Sequence, residues 1–270
     1  MTARSLAYTY AVAQDAPDLR RAVDSLTGVV GAPVHLVRPS RGGEAVATVS
    51  PVPGEDFDQA ALAAHLEDLQ WLEALARSHH GVIEAIAGCT TVLPLRLATV
   101  YLDDDRVRSV LDDGQRAFLE QLTRLAEHVE WGVKLYIEAP AGAQAAPSRA
   151  PDRAPDLSPG RAYLHRRRAE QESQHDAFRA AEEAAERIGA AAREHAAGRA
   201  RHRVQQGELA VEPGVNVMND AYLVPLDHAE AFRADVLNST DSLTGVRVVV
   251  TGPWAPYSFA DRGPAGESAP

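Results

Sequence analysis

Between Arg161 and Gln206 the chain keeps an Ala-, Glu- and Arg-rich helical pattern for 46 residues. Unbroken, a helix of that length reaches roughly 69 Å, about twice what a compact domain needs. It must protrude, fold back or break, and Gly189 and Gly198 are the points where breaking costs least. The flanking segments narrow the fold further. "WGVKLYIE" before it reads as a strand; "VNVM" and "AYLVP" after it read as two strands joined by Asn219-Asp220, residue types suited to a tight hairpin turn. "DHAEAFRADVLN" then reads as a helix and "VRVVVTG" as a strand. The resulting order, βαββαβ, is that of a ferredoxin-like domain with one long or broken helix.

The first half predicts a mixed α/β domain with a small sheet. "LAYTYAVA", "APVHLVRP" and "EAVATVSP" read as strands, the last two closed into a hairpin by "SRGG". Leu62, Leu66, Leu69, Leu72 and Ala76 recur at helical spacing, with Gly81 as a stop or kink. "TTVLPLRLATVYL" returns to strand-like content, and Pro94 restricts that strand to an edge or a bulge. "DDDRVRSVLDDG" and "QRAFLEQLTRLAEHVE" read as two helices, with Asp103, Asp104 and Asp105 at the N-terminus of the first, where the backbone dipole favours them. The chain therefore predicts an α+β protein of two domains, 1–128 and 129–270, with a Pro- and Ala-rich linker at 140–159 and an aromatic strap and tail at 252–270. "DSLTGVV" from Asp24 and "DSLTGVRVVV" from Asp241 repeat, each after a strand opening on Ala-Tyr and a helix. This suggests one βαβ half used twice, although Gly at a helix exit is favoured on steric grounds alone.

A net charge of −11 opposes attachment to nucleic acid or to anionic lipid, because both need clustered cations. No apolar stretch approaches the ~20 residues of a membrane-spanning helix. The N-terminal residues lack the pattern of a secretory signal, and Cys89 is the only cysteine, which points to a cytoplasmic protein without disulfides. No phosphate-binding loop is present: "SRGGEA" and "GPAGESAP" lack the strand–turn–helix context. Cys89 with His79 or His80 as base is a possible nucleophile pair, yet a buried small hydrophobe accounts for Cys89 better. No carboxylate or cysteine flanks His79 and His80 at zinc-motif spacing, so neither metal nor cofactor is expected. "HRRR" at His165–Arg168 precedes Glu170, Glu172 and Asp176 and reads as a solvated helix face with local pairing.

Two features remain as candidate contact surfaces. Phe178, Ala181, Ala185, Ile188 and Ala192 follow the 3-4-3-4 spacing of a narrow helical seam; the plainer alternative is an Ala-rich helix laid on its own sheet. At the end of the chain, Gly252 and Ala255 each precede a proline, which favours extended backbone and removes sheet donors. Trp254, Tyr257 and Phe259 lie along this stiff strap, either to clasp the protein itself or to anchor a partner.

"TVLPLRLATVYLDDD", "VEWGVKLY", "GRAYLHRR", "AYLVP" and "VVVTGPWAPYSF" occur in the order, and over the span of about residues 5–260, in which the chain resembles the gas vesicle protein family GvpL/GvpF. Leu97-Ala98 stand where members often carry Phe-Gly, and Ala255 where a further Pro is common; both departures bear on local backbone geometry. The resemblance implies a non-enzymatic accessory or minor structural protein of gas vesicle assembly in the cytoplasm. It implies contacts with the hydrophobic shell protein and other vesicle proteins, a ferredoxin-like C-terminal part, and no catalytic residues to transfer. The rival reading is a small-ligand binder or enzyme with a pocket on a ferredoxin-like sheet, near His79, His80 or Cys89.

Overall fold

The computed structural model describes residues 4–65, 67–138, 159–204 and 213–260. Two compact units emerge: one of residues up to Glu130 together with those from Pro253 onward, the other Trp131–Gly252.

In the first unit the chain order is β1 (Ser5–Gln14), α1 (Pro17–Val23), a 3-10 turn (Val29–Gly31), β2 (His35–Val37), β3 (Ala45–Pro53), α2 (Gly54–Phe57), α3 (Gln59–His65), α4 (Leu69–Ala87), β4 (Val92–Pro94), β5 (Val100–Tyr101) and α5 (Asp104–Leu125). The sheet runs β2-β3-β1-β4, with β5 also paired to β1. β2 and β3 form the hairpin expected around "SRGG", and Pro94 lies on the outermost strand, where its missing N–H is tolerated. β1 is buried from Leu6 to Ala13, so its side chains fill both faces of the sheet.

Three polar side chains inside this core are held by matched partners. Neutral His79 donates from Nε2 to the Leu95 carbonyl at 3.2 Å, which leaves Nδ1 to accept from the Tyr8 hydroxyl at 3.0 Å. Tyr8 oxygen in turn accepts from the Ala98 N–H at 3.1 Å. Tyr10 donates to Ser50 Oγ at 2.8 Å and accepts from the Val29 N–H at 2.8 Å. The second contact requires glycine at position 28, because a Cβ there would lie 2.0 Å from the Tyr10 oxygen.

The second unit contains β6 (His128–Ile137), α6 (Pro159–His195), β7 (Gly198–Arg201), β8 (Val215–Pro225), a 3-10 turn (Leu226–His228), α7 (Ala229–Asn238) and β9 (Val246–Trp254); α8 (Tyr257–Ala260) follows in the first unit. Its sheet runs β7-β8-β6-β9, with β7 antiparallel to β8. Ala181, Ala184, Ile188 and Ala191 are the buried face of α6, which packs against α7 and β8. Tyr222 and Phe232 stack at 5.4 Å within the same core.

Several expectations need correction. Asn219-Asp220 is no turn: β8 runs through it, Arg199 on β7 pairs with the buried Asp220 carboxylate at 2.5 Å, and His202 N–H donates to Asn219 O. The second and third strands of the βαββαβ order are therefore β7 and β8. The helical pattern stops at His195, with Gly198 opening β7, while Gly189 leaves α6 unbroken. α4 passes through Gly81 to Ala87. α5 is one helix rather than two; Gly114 lies inside it because the Phe118 ring packs where a Cβ would be. Asp103 caps α5 as expected, accepting from the Arg106 N–H at 2.8 Å. The linker 140–159 lies outside the described residues except for Pro159, where α6 begins.

Ala98 sits at φ 64, the left-handed region that suits glycine. Ala98→Gly is expected to raise stability by about 0.5–1 kcal/mol in urea unfolding, the relief of strain exceeding the added entropy of the unfolded chain. Burial pushes the His79 imidazole down to about 4. The unfolded chain then binds more protons between about pH 4 and the ordinary histidine value of 6.5, so this contribution is complete above 6.5 and is lost as the pH falls. Between pH 7 and pH 5 it amounts to about 2 kcal/mol, and His79→Gln should flatten the measured stability–pH slope in that window.

Candidate functional site

The C-terminal strap is the segment where the sequence concentrates aromatic residues, and its local geometry follows from Gly252 and Pro253. Gly252 adopts φ 130, and β9 continues past it to Trp254 because β9 is the outermost strand, where Pro253 leaves no ladder bond unmade. The expected stop at Gly252-Pro253 is thus two residues early. Ala255 and Pro256 are buried, Ala255 within the core of the first unit. The strap then closes into the single turn α8 instead of remaining extended to Phe259.

Three side chains of the first unit receive this segment. The His80 ring, on α4, meets Trp254 edge-on at 5.2 Å and Tyr257 at 6.1 Å. His80 Nε2 lies 3.2 Å from Glu84 Oε1, an acceptor, so Nε2 donates there and Nδ1 accepts from the Tyr257 hydroxyl at 3.3 Å. The Glu130 carboxylate, buried at 7% exposure, receives the Ser258 N–H and the Ser258 hydroxyl, each at 2.7 Å. Arg124 donates to the Phe259 carbonyl at 2.6 Å. Burial first, then the Glu84 and Glu130 carboxylates, hold the Tyr257 hydroxyl far above its ordinary range, so it remains a neutral donor.

Trp254, Tyr257 and Phe259 are each half-buried. In the second unit, Phe178 is 49% exposed at the head of the α6 stripe, whereas Ile188 is fully buried beside Ala184 in the core. The structure therefore brings Trp254 and Tyr257 together on His80 of the first unit, holds Phe259 through its backbone carbonyl, and does not bring Phe178 and Ile188 together on the second, Ile188 being a packing residue.

The residues of the rival reading do not converge. His79 is inside the core, His80 is under the strap, and the Cys89 thiol donates to the Ala85 carbonyl at 3.4 Å, with neither histidine as its partner among the described residues. A shallow groove runs along α5 beside Gln115, Arg116, Leu119, Glu120 and Thr123, away from all three. No helix of the described residues is long and apolar enough to cross a membrane. Glu130, His80 and Arg124 were absent from the sequence-based contact candidates; only Glu130 had a signal, since it opens the "EWGVK" stretch.

The architecture is that of an α+β protein of two compact units, each with an antiparallel sheet and helices. Residues 6–261 match the sequence model of the family described as gas vesicle synthesis protein GvpL/GvpF. Gas vesicle protein L of Streptomyces sp. (strain CB03234) is 42% identical over 260 residues, covering 96% of this chain and 94% of its own. Gas vesicle protein F of the same strain is 28% identical over 222 residues, covering 78% and 89%. Among solved structures, GvpF of Anabaena sp. PCC7120 superposes with a TM-score of 0.64 at 20% identity, covering 98% of this chain and 100% of that one. GvpF of Microcystis aeruginosa gives 0.61 at 17%, covering 94% and 98%. The chain belongs to the GvpL/GvpF family.

Removing the Trp254 ring takes away its contact with His80 and half-buried apolar area. Trp254→Ala is expected to cost about 2 kcal/mol, below the roughly 3–5 of a fully buried ring. Amide exchange should also accelerate through Tyr257–Ala260; unchanged exchange there would mean that the strap is held without Trp254.

Proposed function

We propose that this protein serves gas vesicle assembly through protein–protein contacts, with the vesicle shell protein and other vesicle accessory proteins as partners, in the cytoplasm and at the vesicle. The observation that carries the reading is the family match along nearly the whole chain, joined to a relative named gas vesicle protein L. The geometry supports the mode of action. Half-open aromatics on a strap fixed by buried hydrogen bonds form a rigid apolar surface, which loses little conformational entropy when it meets an apolar partner. Phe178 adds a second exposed ring.

In this reading no bond is made or broken: the protein shields apolar shell subunits until they polymerise, or stays as a minor vesicle component. The second unit is read as ferredoxin-like, which the sheet order β7-β8-β6-β9 supports.

The test is co-expression with the vesicle shell protein followed by affinity capture. Wild-type protein is expected to retain the shell protein, and Phe178→Ala, a change at a half-exposed site, to reduce the captured amount several-fold while far-UV circular dichroism stays the same. Failure of the wild type to capture the shell protein would overturn the proposal; full capture by Phe178→Ala would remove that ring from the contact.

A further inference from the structure

A second cluster lies wholly within the second unit and plays no part in the reading above. His195 ends α6, and its Nε2 is 2.9 Å from Asp235 Oδ2 on α7. The His195 side chain is only 10% exposed, and its Nδ1 is buried with no hydrogen-bond partner among the described residues. Glu194 brings a third donor: one ligand atom from each of Glu194, His195 and Asp235 lies within 4.8 Å of the others. The exposed ring of His228, in the turn before α7, stands edge-on to His195 with centroids 5.6 Å apart.

The Glu194 and Asp235 carboxylates beside the His195 ring repel each other, and a cation held among the three groups removes that repulsion. Nitrogen and carboxylate donors together suit a borderline ion of the Zn2+ kind, whereas Ca2+ and Mg2+ seek six or more oxygens. At Zn–N and Zn–O distances of about 2.0–2.2 Å, tetrahedral ligand atoms stand about 3.4 Å apart. The exposed carboxylates of Glu194 and Asp235 close that gap by side-chain rotation.

We infer that Glu194, His195 and Asp235 form a site for a Zn2+-type cation that joins the end of α6 to α7. The cation takes an imidazole nitrogen of His195, displaces the proton between His195 and Asp235 when it binds at Nε2, and neutralises the carboxylates. His195 and Asp235 are 40 residues apart in sequence, so no short-range spacing announces the site.

The experiment uses the full chain without a histidine tag, stripped with EDTA and titrated with ZnCl2 by calorimetry and with CoCl2 by visible absorption. Expected are one equivalent bound, the absorption of tetrahedral Co2+, and a melting temperature raised by a few degrees at about 100 times Kd. Asp235→Asn and Glu194→Gln alter exposed side chains, and each should weaken Zn2+ binding at least tenfold with unchanged circular dichroism. His195→Gln should abolish binding; if that variant fails to fold, the two carboxylate variants decide. No binding by the wild type, or binding unaltered by both carboxylate substitutions, as at an adventitious surface histidine, overturns the inference.

Discussion

Glu130 is the residue on which the C-terminal return depends. Its carboxylate is buried, and an unpaired buried charge costs several kcal/mol, so it must be met by donors. Ser258 meets it with both of its own, one to each oxygen. Hydrogen bonds to a charged group contribute roughly 1.5–3 kcal/mol each, enough to make α8 part of the first unit's fold. Trp254 and Tyr257 then rest on His80 from a backbone held in place by Glu130.

Both units use the same strand order. Numbering the main strands of each along the chain, the second lies beside the third, the third beside the first, and the first beside the fourth. The repeated "DSLTG" has a different basis. In the first unit it follows β1 and α1, and Gly28 at φ −95 leads into a 3-10 turn over the Tyr10 hydroxyl. In the second it follows β8 and α7, and Gly245 at φ 78 turns into β9, close against Ala177. The motif occupies the first βα step of one unit and the second βα step of the other. Its two glycines meet different steric demands.

Much of this was legible from periodicity. β1, β3, β6 and α7 follow from alternation and helical spacing, whereas the βαββαβ order is reached by splitting β8 at Asn219-Asp220 and without β7. The failures have a common cause, which is that glycine and Asn-Asp signals are local while the deciding contacts are distant. Asn219-Asp220 reads as a turn until Arg199 is placed opposite it. Gly114 reads as a stop until the Phe118 ring occupies its missing Cβ. For the candidate site the aromatics could be named in advance, but not their partners: His80 and Tyr257 are 177 residues apart and Glu130 and Ser258 are 128. Ile188 had the right spacing for a seam, and its own unit uses that spacing.

α6 shows what the fold requires of its long helix and what it does not. Among its described side chains the buried ones begin at Ala181, and Gln171–Asp176 are exposed. A turn that is polar all round gains nothing from the core and rests on propensity and on local pairs such as Arg179–Asp176 at 3.1 Å. The last four turns carry the packing on α7 and β8, reinforced where Arg187 donates to the Ser239 carbonyl at 3.2 Å and to Ser242 Oγ at 2.9 Å. Phe178 stands at the border between these two regimes, half covered by the unit it belongs to. An aromatic ring at that point stabilises its own core only in part, so it can be altered without unfolding the unit beneath it.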